Sequence, residues 1–228
     1  WNDYIDWRQD SHATLIRELT AICRKRGVLA AHNAAIPLLE ASGGFSEQFA
    51  YVPHCYMVSD GTEAPPMPNG AGAPTSADAV VFCNFNNASR ITREDFQSWM
   101  DILRGVPRSV LWLQGANAAT AENLSKAATA AGIDPARLEF AQRVPTKRAH
   151  LARLGRAHLV LDTIAWHNGH SSTSDALWAG VPVLTAPGRH FASRVAASLV
   201  SAAGLPELVR YDRADYVQTA IALGNDTE

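Results

Sequence analysis

From residue 79 onward, short apolar runs alternate with longer stretches whose apolar residues recur every third or fourth position. The runs at 79–85, 109–113, 137–140, 158–162 and 181–185 have the length and apolar density of strands covered on both faces. Between them the period changes. Phe96, Trp99, Met100 and Leu103 fall on one side of a helix over 93–103 capped by Thr92, and an alanine-rich helix over 119–131 stops at Gly132. A helix over 147–155 turns Leu151 and Leu154 inward, and one over 171–179 stops at Gly180 as a left-handed C-cap. A helix over 191–203 ends at Gly204, and the last starts at Tyr216 and runs to Leu223. Strand and helix in strict alternation predict an α/β fold, a Rossmann-like parallel sheet with helices on both faces. Ligands in such sheets bind outside the carboxyl ends of the strands. The loops to inspect are therefore 84–90, 114–117, 143–150, 162–175 and 185–194.

The first third of the chain is less regular. Leu15, Ile16, Leu19, Ile22 and Cys23 lie at helical spacing between a Ser11 cap and a Gly27 stop, which predicts one amphipathic helix over 11–26. Residues 28–42 are alanine-rich with Pro37 inside, and are expected to hold a short strand and a broken helix. The segment GTEAPPMPNGAGAP at 61–74 is a linker or long exposed loop. Three regions follow: residues 1–44 without assignment, a lead-in and linker at 45–75, and a lobe at 76–228.

A chain of 228 residues with 47% hydrophobic content supports a packed core. The net charge of −2 and the scattered basic residues exclude a nucleic-acid surface, so any phosphate bound belongs to a small molecule. Cys23, Cys55 and Cys83 show no C-x-x-C spacing, so neither a disulfide framework nor a zinc site is expected, and a reducing compartment fits. No run of eighteen apolar residues appears, and the opening WNDYIDWRQD is charged. No membrane span or secretion signal is expected, and the location is expected to be cytoplasmic. A start at Trp reads as a fragment or trimmed chain.

The chemistry concentrates at 168–188, NGHSSTSDALWAGVPVLTAPG. Gly169 and His170 lead into Ser171, Ser172, Thr173 and Ser174, so hydroxyls and free N–H groups converge where a helix begins. The helix dipole adds a partial positive charge, and such an end favours phosphate. The ordinary alternative is that Ser and Thr here are simple N-caps. A second strand-end loop, Asn86 to Arg90, follows the apolar run Val80 to Phe85 and would face the same crevice.

Together with FCNFNN (82–87), WMDILRGVPRSVLWL (99–113), HLVLDT (158–163) and ASRVAASLVSAAGLPELV (192–209), that segment resembles the C-terminal catalytic lobe of the O-linked N-acetylglucosamine transferase family, which includes the SPINDLY-type proteins. SEQFAYVPHCYMVSD at 46–60 is similar to the family segment that precedes this lobe. The resemblance implies the donor-binding, C-terminal half of a two-lobed GT-B glycosyltransferase, truncated at its own C-terminus. It implies transfer of GlcNAc from UDP-GlcNAc to Ser or Thr of proteins, with no metal and no cofactor. GDP-fucose and UDP-glucose stay open as donors, and a non-catalytic nucleotide-sugar-binding module stays open as a role. The protein or peptide acceptor is expected to bind through N-terminal regions that include tetratricopeptide repeats, and no 34-residue repeat occurs here.

Position by position, the resemblance places Asn87 and Arg90 at the diphosphate. Arg90 stands where the family carries Lys, which makes it the candidate catalytic residue, a planar clamp in place of an ammonium. The backbone near Pro145 and the side chains of Lys147 and Arg153 are implied by the base, with His150 by the nucleotide. Read from spacing alone, Lys147, His150 and Arg153 share only a rough helix face and form a wet surface. His170, Ser171 and Ser172 match the diphosphate-holding helix start, and Asp175 the carboxylate that accepts from the ribose. Four residues, Ile164 to His167, stand where three are expected, and Trp166 among them either stacks on the sugar or covers the core.

Overall fold

The computed structural model describes residues 29–32, 49–52, 55, 57, 79–115, 117–189 and 191–226. The helix expected at 11–26, the broken helix after residue 32 and the Pro/Gly-rich segment at 61–74 lie outside the described residues. Two short strands, β1 (Leu29–His32) and β2 (Phe49–Val52), pair in parallel with Leu29 opposite Phe49. The rest of the described chain is built on a second sheet. Its strands are β3 (Val80–Asn84), β4 (Ser109–Gln114), β5 (Leu138–Ala141), β6 (Leu159–Leu161) and β7 (Val183–Leu184).

All pairings in this sheet are parallel and the spatial order is β5-β4-β3-β6-β7. The chain winds outward from β3 through β4 to β5, then returns to the far side of β3 for β6 and β7. The winding direction therefore reverses between β3 and β6, and the crevice that opens there at the carboxyl ends of the strands is where such sheets hold ligands.

Six α-helices connect or follow these strands among the described residues: α1 (Arg93–Gly105), α2 (Ala118–Ala130), α3 (Lys147–Leu154), α4 (Ser171–Trp178), α5 (Val195–Ala202) and α6 (Arg213–Asn225). Right-handed crossovers put α1 and α2 on one face and α4 on the other. Consistent with this, α1 packs against α6, and α4 packs against α3 and α5. The core joins strand residues Phe82, Leu111, Trp112 and Leu161 to Trp99, Met100, Ile102 and Leu103 of α1, all buried. Each such side chain contributes roughly 1.5–3 kcal/mol when fully buried.

Thr92, read as a cap, does cap, and Asn117 and Thr146, which the sequence reading did not single out, act in the same way. Thr92 accepts from Asp95 N at 3.1 Å, Asn117 from Thr120 N at 2.8 Å, and Thr146 from Ala149 N at 3.1 Å. Gly180 and Gly204 close α4 and α5 at φ +79°, a conformation in which a Cβ would be strained. Two helix starts differ from expectation by three residues or more. The segment 191–203 is not one helix: Phe191–Ser193 form a 3-10 turn and α5 starts at Val195. The Ser193 carbonyl accepts from Gly188 N at 2.9 Å and from Asn168 Nδ2 at 2.7 Å, so it serves tertiary partners where a helix would use it internally. The last helix begins at Arg213, three residues before Tyr216, because Asp212 caps it by accepting from Asp215 N at 3.3 Å.

Among the described residues no helix is long and apolar enough to cross a membrane.

Candidate nucleotide-sugar site at the sheet crossover

The reversal between β3 and β6 is tied together by buried polar side chains. Asn84, at the end of β3, donates from Nδ2 to Leu161 O at 2.7 Å, and its Oδ1 accepts from Asn86 N at 3.0 Å. Asn86 Nδ2 donates onward to Asp162 Oδ1 at 3.2 Å and Thr163 Oγ1 at 3.1 Å, while its Oδ1 accepts from Ser172 Oγ at 2.5 Å. One amide thus links the β3 loop, the end of β6 and the first turn of α4.

Asp162 is the hub of this network. Its Oδ1 also accepts from Gly169 N at 2.8 Å and Thr163 N at 2.9 Å, and its Oδ2 accepts from Thr185 Oγ1 at 2.7 Å. Its backbone carbonyl takes the Tyr216 hydroxyl at 3.0 Å, and that hydroxyl accepts from Trp99 Nε1 at 3.3 Å. Burial pushes the Asp162 carboxyl up from 3.8 to about 7, and the four hydrogen bonds pull in the opposite direction without cancelling the cost of desolvation.

The helix that starts here has no side-chain cap: His170 occupies the N-cap position without a hydrogen bond to the first turn. The leading N–H groups of α4 are therefore left for solvent or a ligand, and the helix dipole makes that ligand an anion. Gly169 gives the chain room to enter, since a Cβ there would lie 2.3 Å from Thr173 Oγ1 and 2.8 Å from Ser172 Oγ. His170 Nε2 lies 3.1 Å from Ala192 O, and a carbonyl only accepts, so this nitrogen carries the proton and Nδ1 is left as an acceptor. Burial lowers the His170 pKa, in the direction of neutral imidazole. Its ring stacks on His167 at 4.6 Å. Arg90 reaches the same loop by donating to Asn168 O at 3.4 Å, and thus brings a guanidinium to the mouth of α4.

A second cluster forms between α3 and α4. Lys147 pairs with Asp175, and His150 Nε2 lies 3.8 Å from the other carboxylate oxygen of Asp175. Arg153 donates to His150 Nδ1 from Nε at 3.3 Å, so that nitrogen is an acceptor and the imidazole proton sits on Nε2, toward Asp175. The pKa of His150 is lowered, by burial first and then by the charge of Arg153. Arg153 itself is not the wet surface residue that spacing suggests. It is 5% exposed, donates to Gln142 O, and lies 4.7 Å above the ring of Phe85, which packs edge-on against Trp112. Burial comes from residues outside its own helix, Phe85 and Gln142, which helix spacing cannot reveal. Beside Arg153, the ends of β4 and β5 border a cavity of about 570 Å³ lined by Gln114, Gly115, Phe140, Ala141, Gln142 and Arg143. A planar ring that stacked or hydrogen-bonded there would meet backbone and guanidinium groups together.

A family model, glycosyl transferase family 41, matches residues 72–228. The chain belongs to glycosyl transferase family 41. It is 41% identical over 151 residues to a UDP-N-acetylglucosamine–peptide N-acetylglucosaminyltransferase of Caenorhabditis elegans, covering 66% of this chain and 13% of that protein. It is 34% identical over 189 residues to the probable UDP-N-acetylglucosamine–peptide N-acetylglucosaminyltransferase SEC of Arabidopsis thaliana, covering 78% and 19%. A mutant O-GlcNAc transferase of Thermobaculum terrenum superposes with a TM-score of 0.73 at 30% identity, covering 88% of this chain and 38% of that one. The chain thus spans under a fifth of the length of these two curated relatives. The sheet, its order and its helices have the α/β architecture of GT-B enzymes such as that transferase.

Within this family 41 lobe, the residues singled out from sequence fall into two groups that α4 joins. Arg90, His170, Ser171 and Ser172 gather at its start, and Lys147, His150 and Arg153 gather around Asp175 one turn along. Asn87 is exposed, and its side chain caps its own 3-10 turn by accepting from Ser89 N at 3.0 Å. Pro145 is exposed just before the Thr146 cap of α3. Trp166 is 67% exposed, so it does not cover the core. Sequence reasoning did not single out Asn84, Asn86, Asp162, Asn168 and Thr185, the buried polar residues that set the geometry. A clue existed in the chain: polar residues directly abutting the ends of apolar strands, as in FCNFNN and VLDT. Among the described residues no group of three or more His, Cys, Asp or Glu side chains is arranged to hold a metal ion.

Proposed function

We propose that this chain is the donor-binding lobe of a glycosyltransferase that moves GlcNAc from UDP-GlcNAc to Ser or Thr of proteins. The observation that carries the proposal is the uncapped start of α4 at the sheet crossover, with Arg90 at its mouth and Asp175 one turn along. The diphosphate lies against the α4 N-terminus, where N–H groups, the hydroxyls of Ser171 and Ser172, and Arg90 meet its charge. The ribose hydroxyls donate to Asp175, displacing Lys147 from part of its contact. The base enters the cavity beside Arg153 and Gln142.

In the reaction the acceptor hydroxyl oxygen bonds to the anomeric carbon as the bond from that carbon to the diphosphate oxygen breaks. Negative charge grows on the departing diphosphate, and the groups around it are already oriented before the reaction starts, the electrostatic help that dominates many enzymes. The hydroxyl proton leaves to a base outside this lobe, and the protein acceptor is held by regions outside it as well. Relatives of much greater length accord with that division.

Calorimetric titration with UDP, UDP-GlcNAc, UDP-glucose and GDP-fucose tests the reading. UDP and UDP-GlcNAc bind, and Asp175→Ala weakens both; a chain that binds none of the four sinks the proposal. A purely binding role is favoured by one observation, the engagement of Arg90 with Asn168 O in place of a position free for the leaving oxygen. Peptide glycosylation by the full-length gene product, with and without Arg90→Ala, separates the two roles. Lost turnover with retained UDP affinity marks Arg90 as catalytic.

A further inference from the structure

Asp162 is a buried carboxylate behind the N-terminus of α4. Its two oxygens differ: Oδ1 receives three fixed N–H donors, from Gly169, Thr163 and Asn86, whereas Oδ2 receives only the Thr185 hydroxyl. A hydroxyl can rotate from donor to acceptor, and a backbone N–H cannot. Oδ2 is therefore the one oxygen that can carry a proton without losing its neighbour.

We propose that Asp162 is a positioning residue whose carboxylate pins the entry to α4, and that a diphosphate seated at that helix start draws a proton onto Asp162 Oδ2. The proposal rests on the donor-site reading above. Its physical basis is competition, because carboxylate and diphosphate are two anions drawing on one helix end. The carboxylate takes Gly169 N, at the entry to the helix, and repels a second negative charge arriving in front of it. Protonation removes the repulsion while the three N–H bonds to Oδ1 keep the turn in place.

The groups facing Asp162 do not offer a competing explanation. From the β3 loop it meets Asn86, from the residue that follows β7 Thr185, from the loop after β6 the Thr163 N–H, and from the α4 entry the Gly169 N–H, none of them charged. From α6 it meets the Tyr216 phenol, held high by burial and engaged with Trp99. The charged neighbours of that phenol are Asp95 on α1 and Arg213 on α6, which pair with each other. On the ligand side stand Arg90, His167 and His170. Burial leaves the Asp162 proton near pH 7, where a modest push from an arriving anion changes its occupancy.

The test compares the whole 228-residue chain with Asp162→Asn. Asparagine keeps an oxygen for the three N–H donors and turns its amide toward Thr185, so the pin survives without the charge. UDP is titrated calorimetrically from pH 6 to 8.5 in buffers of different ionisation enthalpy. The phosphate proton of UDP is common to both proteins and cancels in the comparison. The native chain takes up additional protons on binding above pH 7, and Asp162→Asn does not. At pH 8 Asp162→Asn binds UDP about tenfold more tightly than the native chain, the size expected for unit charges interacting across a partly polar interior, and the two converge near pH 6. Equal proton uptake, or an Asp162→Asn affinity lower at every pH, overturns the proposal.

A second readout separates its failure from that of the donor-site reading. In the free protein, the Gly169 and Thr163 amide resonances titrate near pH 7 in the native chain and stay flat in Asp162→Asn. Titrating amides without UDP binding at any pH overturn the donor site, and the proton coupling with it. UDP binding with flat amides in both proteins overturns the coupling alone. If Asp162→Asn does not fold, Thr185→Val serves, since loss of one donor to Oδ2 moves the amide inflection and the proton uptake to higher pH; an unmoved inflection overturns the proposal.

Discussion

Gly169→Ala places one methyl group at the tightest point of the site. Its Cβ would lie 2.3 Å from Thr173 Oγ1, 2.8 Å from Ser172 Oγ and 3.2 Å from Asp162 Oδ1. Two of these distances are shorter than any carbon and oxygen tolerate, so the first turn of α4 must move away from the end of β6. Rotation of the two hydroxyls alone does not relieve it. Ser172 is bonded to Asn86, and Thr173 is fully buried. Overpacking of this kind costs about 1–3 kcal/mol, and stretching the Gly169 N bond to a carboxylate adds to it. A loss of about 2 kcal/mol lowers the melting temperature of a chain this size by about 4–8 °C. The same displacement carries the α4 N–H groups off the diphosphate position, so UDP affinity falls at least tenfold. Gly180→Ala is the control. A Cβ there meets nothing within 4 Å, but φ is +79°, so stability drops by about 1 kcal/mol through backbone strain while UDP affinity is unchanged. Scanning calorimetry and UDP titration read both variants. If Gly169→Ala binds UDP within twofold of the native chain, the α4 entry is not where the diphosphate sits.

Three further outcomes follow from the same geometry. Asp175→Asn weakens UDP binding tenfold or more by titration, because charge-assisted bonds to ribose hydroxyls are worth about 1.5–3 kcal/mol; its melting temperature stays within a few degrees, since the half-exposed Lys147 pair contributes about 0–1 kcal/mol. Arg153→Lys keeps the charge and loses the fork that spans Gln142 O and His150 Nδ1, so it destabilises by about 2–3 kcal/mol in urea unfolding and releases the His150 tautomer, visible as shifted imidazole nitrogen resonances. Asp162 has its folded pKa raised from 3.8 to about 7, so its contribution to stability is full below pH 3.8 and is lost as pH rises to about 7. Urea midpoints of the native chain therefore fall relative to those of Asp162→Asn across pH 4–7 and run parallel to them above pH 8; parallel curves throughout would show that burial does not shift this carboxyl.

What was legible in the chain is what short-range forces decide. Val81, Phe82 and Cys83 read as a strand because a parallel strand is covered on both faces and tolerates apolar residues in succession. Thr92 read as a cap because it stands directly before the helically spaced apolar residues of α1, and Asp95 N answers it three residues on. The start of α4 read as an anion site because the serines and the helix end lie side by side in sequence. Legibility stops where a partner comes from elsewhere. Ser193 sits in a helical pattern, yet Asn168, 25 residues away, claims its carbonyl and breaks the helix. Arg153 looks solvated on its own helix and is buried by Phe85 and Gln142.

The deepest case is Asp162, whose partners Asn86 and Thr185 lie 76 and 23 residues away. No periodicity encodes such a pairing, and only the strand order, which sets β6 beside both β3 and β7, brings the three residues together. That order also explains why the network is polar at all. At the crossover the flanking loops diverge and leave a gap that apolar side chains would close. Asn84, Asn86, Asp162 and Thr185 hold it at a fixed width by hydrogen bonds, each of which is costly to leave unmade once buried. A crevice built this way keeps its shape before any ligand arrives. The rigidity is obtained with a buried carboxylate, and its charge stands against the anion the crevice is shaped to receive.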